Sequence, residues 1–335
     1  MPSRPRVPIP NPSPLRKSRR RSLARVSLSR FPGGARRAGA ALACLVLTSL
    51  AAAAAPPLAS ALPGGCDFYI VVSASGDAAA LPAVERLLPA LPAAMQRLAG
   101  AGVLPPAYRP ADLALAGFLK DETVYLAILL AGDFDEAALK RELGPKAALL
   151  DAAPPPALYQ AAAGGQPAIG FLVPSRGVLA AGRPDTLRAI FRRGAPPPKI
   201  PALLQDALAG ESFVTIYAGR EILSHLFAPA APGESLRTLR QIFEGISALT
   251  WTVESPRNGR CLVRMQALRE EDATAVAALL RNYLNLSLLA AGQDEAAAAA
   301  ILKTFAVDTR DRRVDVRFSV PPENLEEIFA AMFRF

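Results

Sequence analysis

A single histidine stands in the whole sequence, and it bounds the catalytic options more than any other residue. His225 lies in Glu221-Ile222-Leu223-Ser224-His225-Leu226-Phe227, a short amphipathic stretch with no acid or serine in a recognisable relation to it. A lone imidazole can serve a Ser or Cys nucleophile, but this one reads as an ordinary helix residue. Cysteine is nearly as scarce, with only Cys44, Cys66 and Cys261. Zinc and other transition-metal sites draw on several His or Cys ligands, so no metal site is assigned. The glycine-rich phosphate signatures G-x-x-x-x-G-K-[ST] and strand-linked G-x-G-x-x-G are missing too, and Gly164-Gly165 falls in an Ala-rich loop. No cofactor is expected.

Acid is also missing, from one place. The net charge of +9 comes from 38 basic and 29 acidic residues, but residues 1–37 hold eleven Arg or Lys and no acid. Past Arg37 there remain 27 basic residues against all 29 acids, a balance of about −2. Clustered Lys and Arg on a folded domain are what a phosphate backbone requires. The slightly acidic body therefore gives no support to nucleic-acid binding.

After the basic start comes an uncharged stretch up to Asp67, with an apolar run at Ala38–Ala55, then Pro56-Pro57 and Ala59-Ser60-Ala61. Basic region, apolar region and small residues at −3 and −1 form the secretory signal pattern. Residues 1–61 are read as leader plus signal peptide, cut after Ala61. The alternative is a retained membrane anchor, since about 18 apolar residues can just span a bilayer. Ser18-Arg19-Arg20-Arg21-Ser22-Leu23 is similar to a twin-arginine signal, though the apolar run begins some fifteen residues later. Leu62-Pro63-Gly64-Gly65-Cys66 is similar to a lipobox with its Leu one position too early, which makes Cys66 a candidate for lipidation. The Arg- and Ser-rich start also fits an organellar transit peptide. In an oxidising compartment Cys66 and Cys261 are candidates for a disulfide.

Proline-rich stretches at Leu104–Pro110, Pro154–Pro156, Pro196–Pro201 and Ala228–Pro232 mark surface connections. Between them one theme recurs, hairpin then helix. Leu113–Leu119 and Thr123–Leu130 flank Lys120-Asp121-Glu122, and Asp135–Leu143 reads as a helix closed by Gly144. Ala168–Val173 and Val178–Ala181 precede a helix at Pro184–Phe191, and Ser212–Tyr217 leads to Glu221–Phe227. Ala131-Gly132, Ala181-Gly182 and Ala218-Gly219 sit at the strand-to-helix junctions, where glycine permits a turn.

The C-terminal residues alternate more cleanly. Leu249, Trp251 and Val253 face inward, and after Ser255–Gly259 so do Cys261, Val263, Met265 and Ala267. Symmetry about that loop sets Val253 opposite Cys261 and Trp251 opposite Val263. The next segment is a helix carrying Ala273, Val276, Ala277, Leu280, Leu284 and Leu288. Then come Phe305 and Val307, a turn at Thr309–Arg312, Val314–Val320 and a helix from Pro322 with Leu325, Ile328, Phe329 and Met332.

These patterns predict an α+β fold: a mostly antiparallel sheet built from repeated hairpin–helix units, with helices on one face. Residues 62–232 and 233–335 read as two similar halves sharing a sheet or packing side by side. Phe68–Ser73 joins the sheet at a position the sequence leaves open.

Carboxylate pairs can hydrolyse glycosides, but Glu270-Glu271-Asp272 opens a helix, where negative charge complements the dipole, and Glu326-Glu327 reads as solvated. Ser75 comes just after the first strand, without the first glycine of a nucleophile elbow. Trp251 and Cys261 fall on the inward face. Phe335 is similar to the last residue of outer-membrane barrel strands, yet the residues before it read as helix.

With its leader, its Ala- and Pro-rich composition and its Ala-Gly junctions, the chain resembles exported bacterial envelope proteins of the domain-of-unknown-function type over residues 67–335. The resemblance implies location outside the cytosol, periplasmic or secreted, and carries over no functional residue. The expected function is non-enzymatic binding of a protein partner or an apolar ligand, motivated by the apolar hairpin Leu113–Leu130, with no nucleic acid and with membrane contact only through the leader or a lipid. The competing expectations are an envelope hydrolase using carboxylates or Ser75, and a structural, membrane-tethered domain.

Overall fold

Alternating β-branched and apolar residues separated by short polar turns dictate antiparallel strands. The computed structural model describes residues 58–73, 90–104, 112–121, 123–151, 156–161, 168–191, 199–210, 212–226, 243–255, 259–291, 296–321 and 324. The chain divides into Met1–Ala53 and a compact unit, Ala54–Phe335.

In that unit the strands are β1 (Phe68–Ser73), β2 (Asp112–Lys120), β3 (Thr123–Ala131), β4 (Ala147–Asp151), β5 (Leu158–Ala161), β6 (Ile169–Ser175), β7 (Val178–Gly182), β8 (Val214–Gly219), β9 (Ile246–Val253), β10 (Arg260–Ala267), β11 (Ala306–Arg310) and β12 (Arg313–Ser319). They form one 12-stranded sheet in the order β11-β12-β10-β9-β8-β1-β2-β3-β7-β6-β5-β4. Every neighbouring pair is antiparallel. The helices are α1 (Ala90–Gly100), α2 (Glu136–Leu143), α3 (Pro184–Ile190), α4 (Ala202–Leu208), α5 (Arg220–Leu226), α6 (Glu270–Ala291) and α7 (Ala296–Leu302), and a 3-10 turn spans Leu58–Ala61. The class is α+β, with a large antiparallel sheet. Among the described residues no helix is long and apolar enough to cross a membrane.

The registers obey the side-chain alternation. Cys261 pairs with Val253 and Val263 with Trp251, and Leu113 pairs with Leu130 at the base of the β2–β3 hairpin. β1 takes a central place, pairing with β2 on one side and β8 on the other. Its run Tyr69-Ile70-Val71-Val72 is buried throughout, as a strand covered on both faces must be.

Helices on one face only is an expectation the structure corrects. Ile70, Val72, Leu113, Leu115 and Leu130 pack with Leu98 of α1 and Leu139 and Leu143 of α2. The alternate residues Tyr69, Val71, Ala114, Ala116 and Leu129 pack with Leu58 and Ala61, with Leu187 and Ile190 of α3, and with Leu203 and Leu204 of α4. Both faces of β1, β2 and β3 are apolar, so both need cover. Toward β12 the pattern becomes one-sided. Ala273, Val276 and Ala277 of α6 cover Met265, Val314 and Val316, while the reverse face of β10 and β12 carries the facing pair Arg264 and Asp315.

Glycine at the strand-to-helix junctions also has a different reason from the one expected. Gly182 and Gly219 are absent from the positive-φ positions of the described chain. Each instead lies against backbone: a Cβ would stand 3.0 Å from the Leu126 carbonyl oxygen at Gly182 and 3.1 Å from that of Asp67 at Gly219.

Candidate binding surface

The β2–β3 hairpin outruns its neighbours. β1 pairs with β2 only as far as Gly117, and β7 pairs with β3 only from Ala127 onward. Phe118 to Leu126 therefore project as a two-stranded ribbon, closed by a turn in which Asp121 takes φ 50°. On one side the Phe118 and Tyr125 rings stack, with centroids 4.8 Å apart and planes 7° from parallel. On the other side Val124 and Leu126 are 57% and 38% exposed, beside half-buried Leu119 and Phe68. A ribbon of two strands is marginal by itself, and its root explains why it stands. The Asp67 N–H donates to the Gly117 carbonyl at 2.8 Å, and the Asp67 carboxylate accepts the Leu119 N–H at 3.2 Å.

Asp67 belongs to a group of polar side chains that are distant in sequence and brought together by the fold. Burial pushes its carboxyl up, the Leu119 N–H opposes that, and the charge of Glu221 on α5 adds to it. Burial also raises Tyr217, with the Asp67 charge contributing. Tyr69 is raised by burial first. It meets Tyr217 edge-on at 5.8 Å, donates from its hydroxyl to the Pro63 carbonyl at 2.6 Å and accepts the Cys66 N–H at 3.3 Å. No spacing rule links Asp67 to Glu221, 154 positions on, so only the fold reveals this pair.

The two cysteines do not meet. Both are free and buried, Cys66 in the cluster with Tyr69 and Cys261 in the cluster on the other face of the sheet with Trp251. Burial pushes the Cys66 thiol up to about 12 and the Cys261 thiol up to about 11, against a hydrogen bond with the Trp251 side chain. Since the thiolate is the nucleophile, neither is activated. In the native protein both thiols should resist an aromatic disulfide reagent at pH 8 and react fully once the chain is denatured. Labelling of either within minutes without denaturant would contradict the described burial.

A concave feature lies between α2 and strands β4 to β6, lined by Leu139, Leu143, Ala147, Tyr159 and Phe171, with a volume of about 40 Å³. At its rim the Tyr159 hydroxyl donates to Glu136 at 2.8 Å, and Lys140 reaches Glu136 at 3.0 Å and lies 5.3 Å above the Tyr159 ring. Pockets for small molecules run to roughly 300 Å³ and more. This cleft holds water at most.

His225 is exposed on α5. At the start of α6 Asp272 accepts from the Arg269 guanidinium at 2.8 Å and 3.0 Å, a capping arrangement. Trp251 is buried in the core. Ser75, Gly164-Gly165, Glu326-Glu327, Phe335 and all but Asn324 of the helix expected from Pro322 lie outside the described residues. Among the described residues no cluster of three His, Cys, Asp or Glu stands ready to hold a metal.

The fold and surface thus define an α+β protein with an antiparallel sheet and a projecting apolar ribbon. Compared with known proteins, the chain matches no family model and no curated sequence. Among solved structures it is similar to TP0453 in three crystal forms. Form I has TM-score 0.41 and 10% identity, covering 84% of this chain and 99% of that one. Form III has TM-score 0.43 and 12% identity over 83% and 99%, and form IV has TM-score 0.42 and 11% identity over 83% and 98%.

Proposed function

We propose that the chain is an exported, non-enzymatic binding domain, periplasmic or secreted, that docks a protein partner on the β2–β3 ribbon. The observation that carries this reading is the exposure of Val124 and Leu126 on a projection whose base is buried on both faces. A compact apolar patch on a convex ribbon fits a groove or flat apolar area on another protein, where a few large side chains supply most of the binding. The cleft under α2, at about 40 Å³, is too small to serve the apolar-ligand version. Export rests on the order of basic region, apolar run and small residues in 1–61.

The same reading treats the sheet as a succession of hairpin–helix units. In its favour, β2–β3 is followed by α2, β6–β7 by α3 and β9–β10 by α6.

The test is the double substitution V124D/L126D, with a photo-crosslinking residue placed at Thr123 in intact cells. The wild-type ribbon is expected to give one discrete adduct, the double variant at least tenfold less, and the melting temperature to stay within about 2 °C, as for exposed sites. An adduct of equal yield from both chains, or none from either, sinks the ribbon as the docking surface.

A further inference from the structure

We infer that the leader is cut within the alanine run Ala51–Ala55, and that Leu58–Cys66 stays on the mature chain as part of its core. The inference rests on the export reading but moves the boundary that Ala59-Ser60-Ala61 marks in the sequence. The 3-10 turn at Leu58–Ala61 packs on β2 and β3. Leu58, Ala61 and Leu62 are 4%, 9% and 7% exposed, in one cluster with Tyr69, Ala114, Ala116 and Leu129.

Hydrolysis after Ala61 adds water across the Ala61–Leu62 bond, leaving a carboxylate on Ala61 and an α-ammonium on Leu62. That ammonium would sit on a residue that is itself buried in the core, which costs heavily, while Leu58 and Ala61 leave the core.

Acylation at Cys66 fares no better. The diacylated residue must become the N-terminus, so Pro63 departs and the fully buried Tyr69 hydroxyl loses the carbonyl it donates to at 2.6 Å. An unpaired buried donor is expensive. Gly65 also has its own reason to be glycine, since it turns the chain at φ 74°.

The alanine run meets the same chemistry without these costs. Ala51 and Ala53, or Ala52 and Ala54, supply small residues at −3 and −1. A cut after Ala55 is excluded by Pro56, whose ring and missing N–H do not fit an extended substrate strand. The apolar segment left before the run, Ala38–Leu50, has 13 residues, inside the 7–15 usual for a signal core. Hydrolysis there frees an ammonium on Ala54 or Ala55, several residues ahead of the buried Leu58.

The experiment is intact mass and N-terminal sequencing of the full-length chain from a secreting bacterial host, with cells fractionated. A start at Ala54 or Ala55 in the extracytoplasmic fraction is expected. A start at Leu62 or at acylated Cys66 overturns the boundary while leaving export standing, and an uncut chain in the cytosol overturns both. Two variants check the assignment independently. A51E/A53E/A54E is expected to accumulate precursor at least tenfold, and A59E, which spoils only the −3 position of the downstream motif, to keep the wild-type start. The reverse pattern overturns the inference.

Discussion

Gly259→Ala costs about 3–5 kcal/mol, the sum of a left-handed backbone forced on a side chain and a methyl group driven into a neighbouring strand end. Gly259 holds φ 58°, and a Cβ there would fall on the Val320 carbonyl. Its own carbonyl accepts the Val320 N–H at 2.9 Å and the Cys261 thiol at 3.5 Å, so relief by rotating the peptide breaks the link between the β9–β10 turn and the end of β12. Gly102→Ala separates the two causes. Gly102 has φ 77°, but the nearest atom to its Cβ would be Leu143 Cδ2 at 3.6 Å, ordinary contact. That variant should lose only the backbone part, about 1–2 kcal/mol. Urea unfolding followed by the single tryptophan, Trp251, measures both. Equal losses would mean that the Val320 contact carries no weight.

The same glycine shows how far the sequence reaches. The loop Ser255–Gly259 and the register across it are legible, because alternation excludes one-residue slips that would flip Trp251, Val253, Cys261 and Val263 to the other face, and symmetry about the loop then sets the observed pairs. The contact with Val320, 61 positions on, is not legible, since nothing local encodes which strand end comes to lie on the turn. β1 behaves likewise: the sequence leaves its place in the sheet open, because its neighbours β2 and β8 are chosen by long-range pairing. On the second face α3 is legible as the helix Pro184–Phe191, but the Leu58–Ala61 turn and α4 are short, so neither offers enough turns for a periodic stripe. β4 and β5, of 5 and 4 residues, are too brief to stand out from the Ala- and Pro-rich segments around them. The hairpin Leu113–Leu130 is readable as too apolar for one free face. Which end remains uncovered depends on where β1 and β7 stop, at the Phe68–Gly117 and Gly182–Ala127 pairs, which only the folded chain displays.

Asp315→Asn should destabilise by about 2–4 kcal/mol at pH 7, because it leaves buried positive charge without its partner. Asp315 faces Arg264 across β10 and β12. Its carboxylate accepts from Arg264 at 3.2 Å and from Arg313 at 2.9 Å and 3.2 Å. Arg264 and Asp315 are only 16% and 12% exposed, so solvent screens that pair poorly. The neighbouring pair Arg317–Asp308, at 57% and 63% exposure, is the contrast. Asp308→Asn should cost less than about 1 kcal/mol. Burial alone would raise the Asp315 carboxyl, but the Arg313 hydrogen bond and the charges of Arg264 and Arg313 outweigh it and hold the group below the usual carboxylate range. A carboxylate whose folded value is depressed contributes stability that is fully present above its unfolded value, near pH 3.9, and is lost as pH falls through the lower folded value. Wild type and Asp315→Asn should therefore differ by a constant amount from pH 7 down to about pH 5 and converge below pH 4. Chemical denaturation at pH 7, 5, 4 and 3 reads this directly. A gap that persists unchanged at pH 3 would assign the loss to packing rather than charge, and would leave the polar face of β10 and β12 without the electrostatic pairing that lets it stand outside the apolar core.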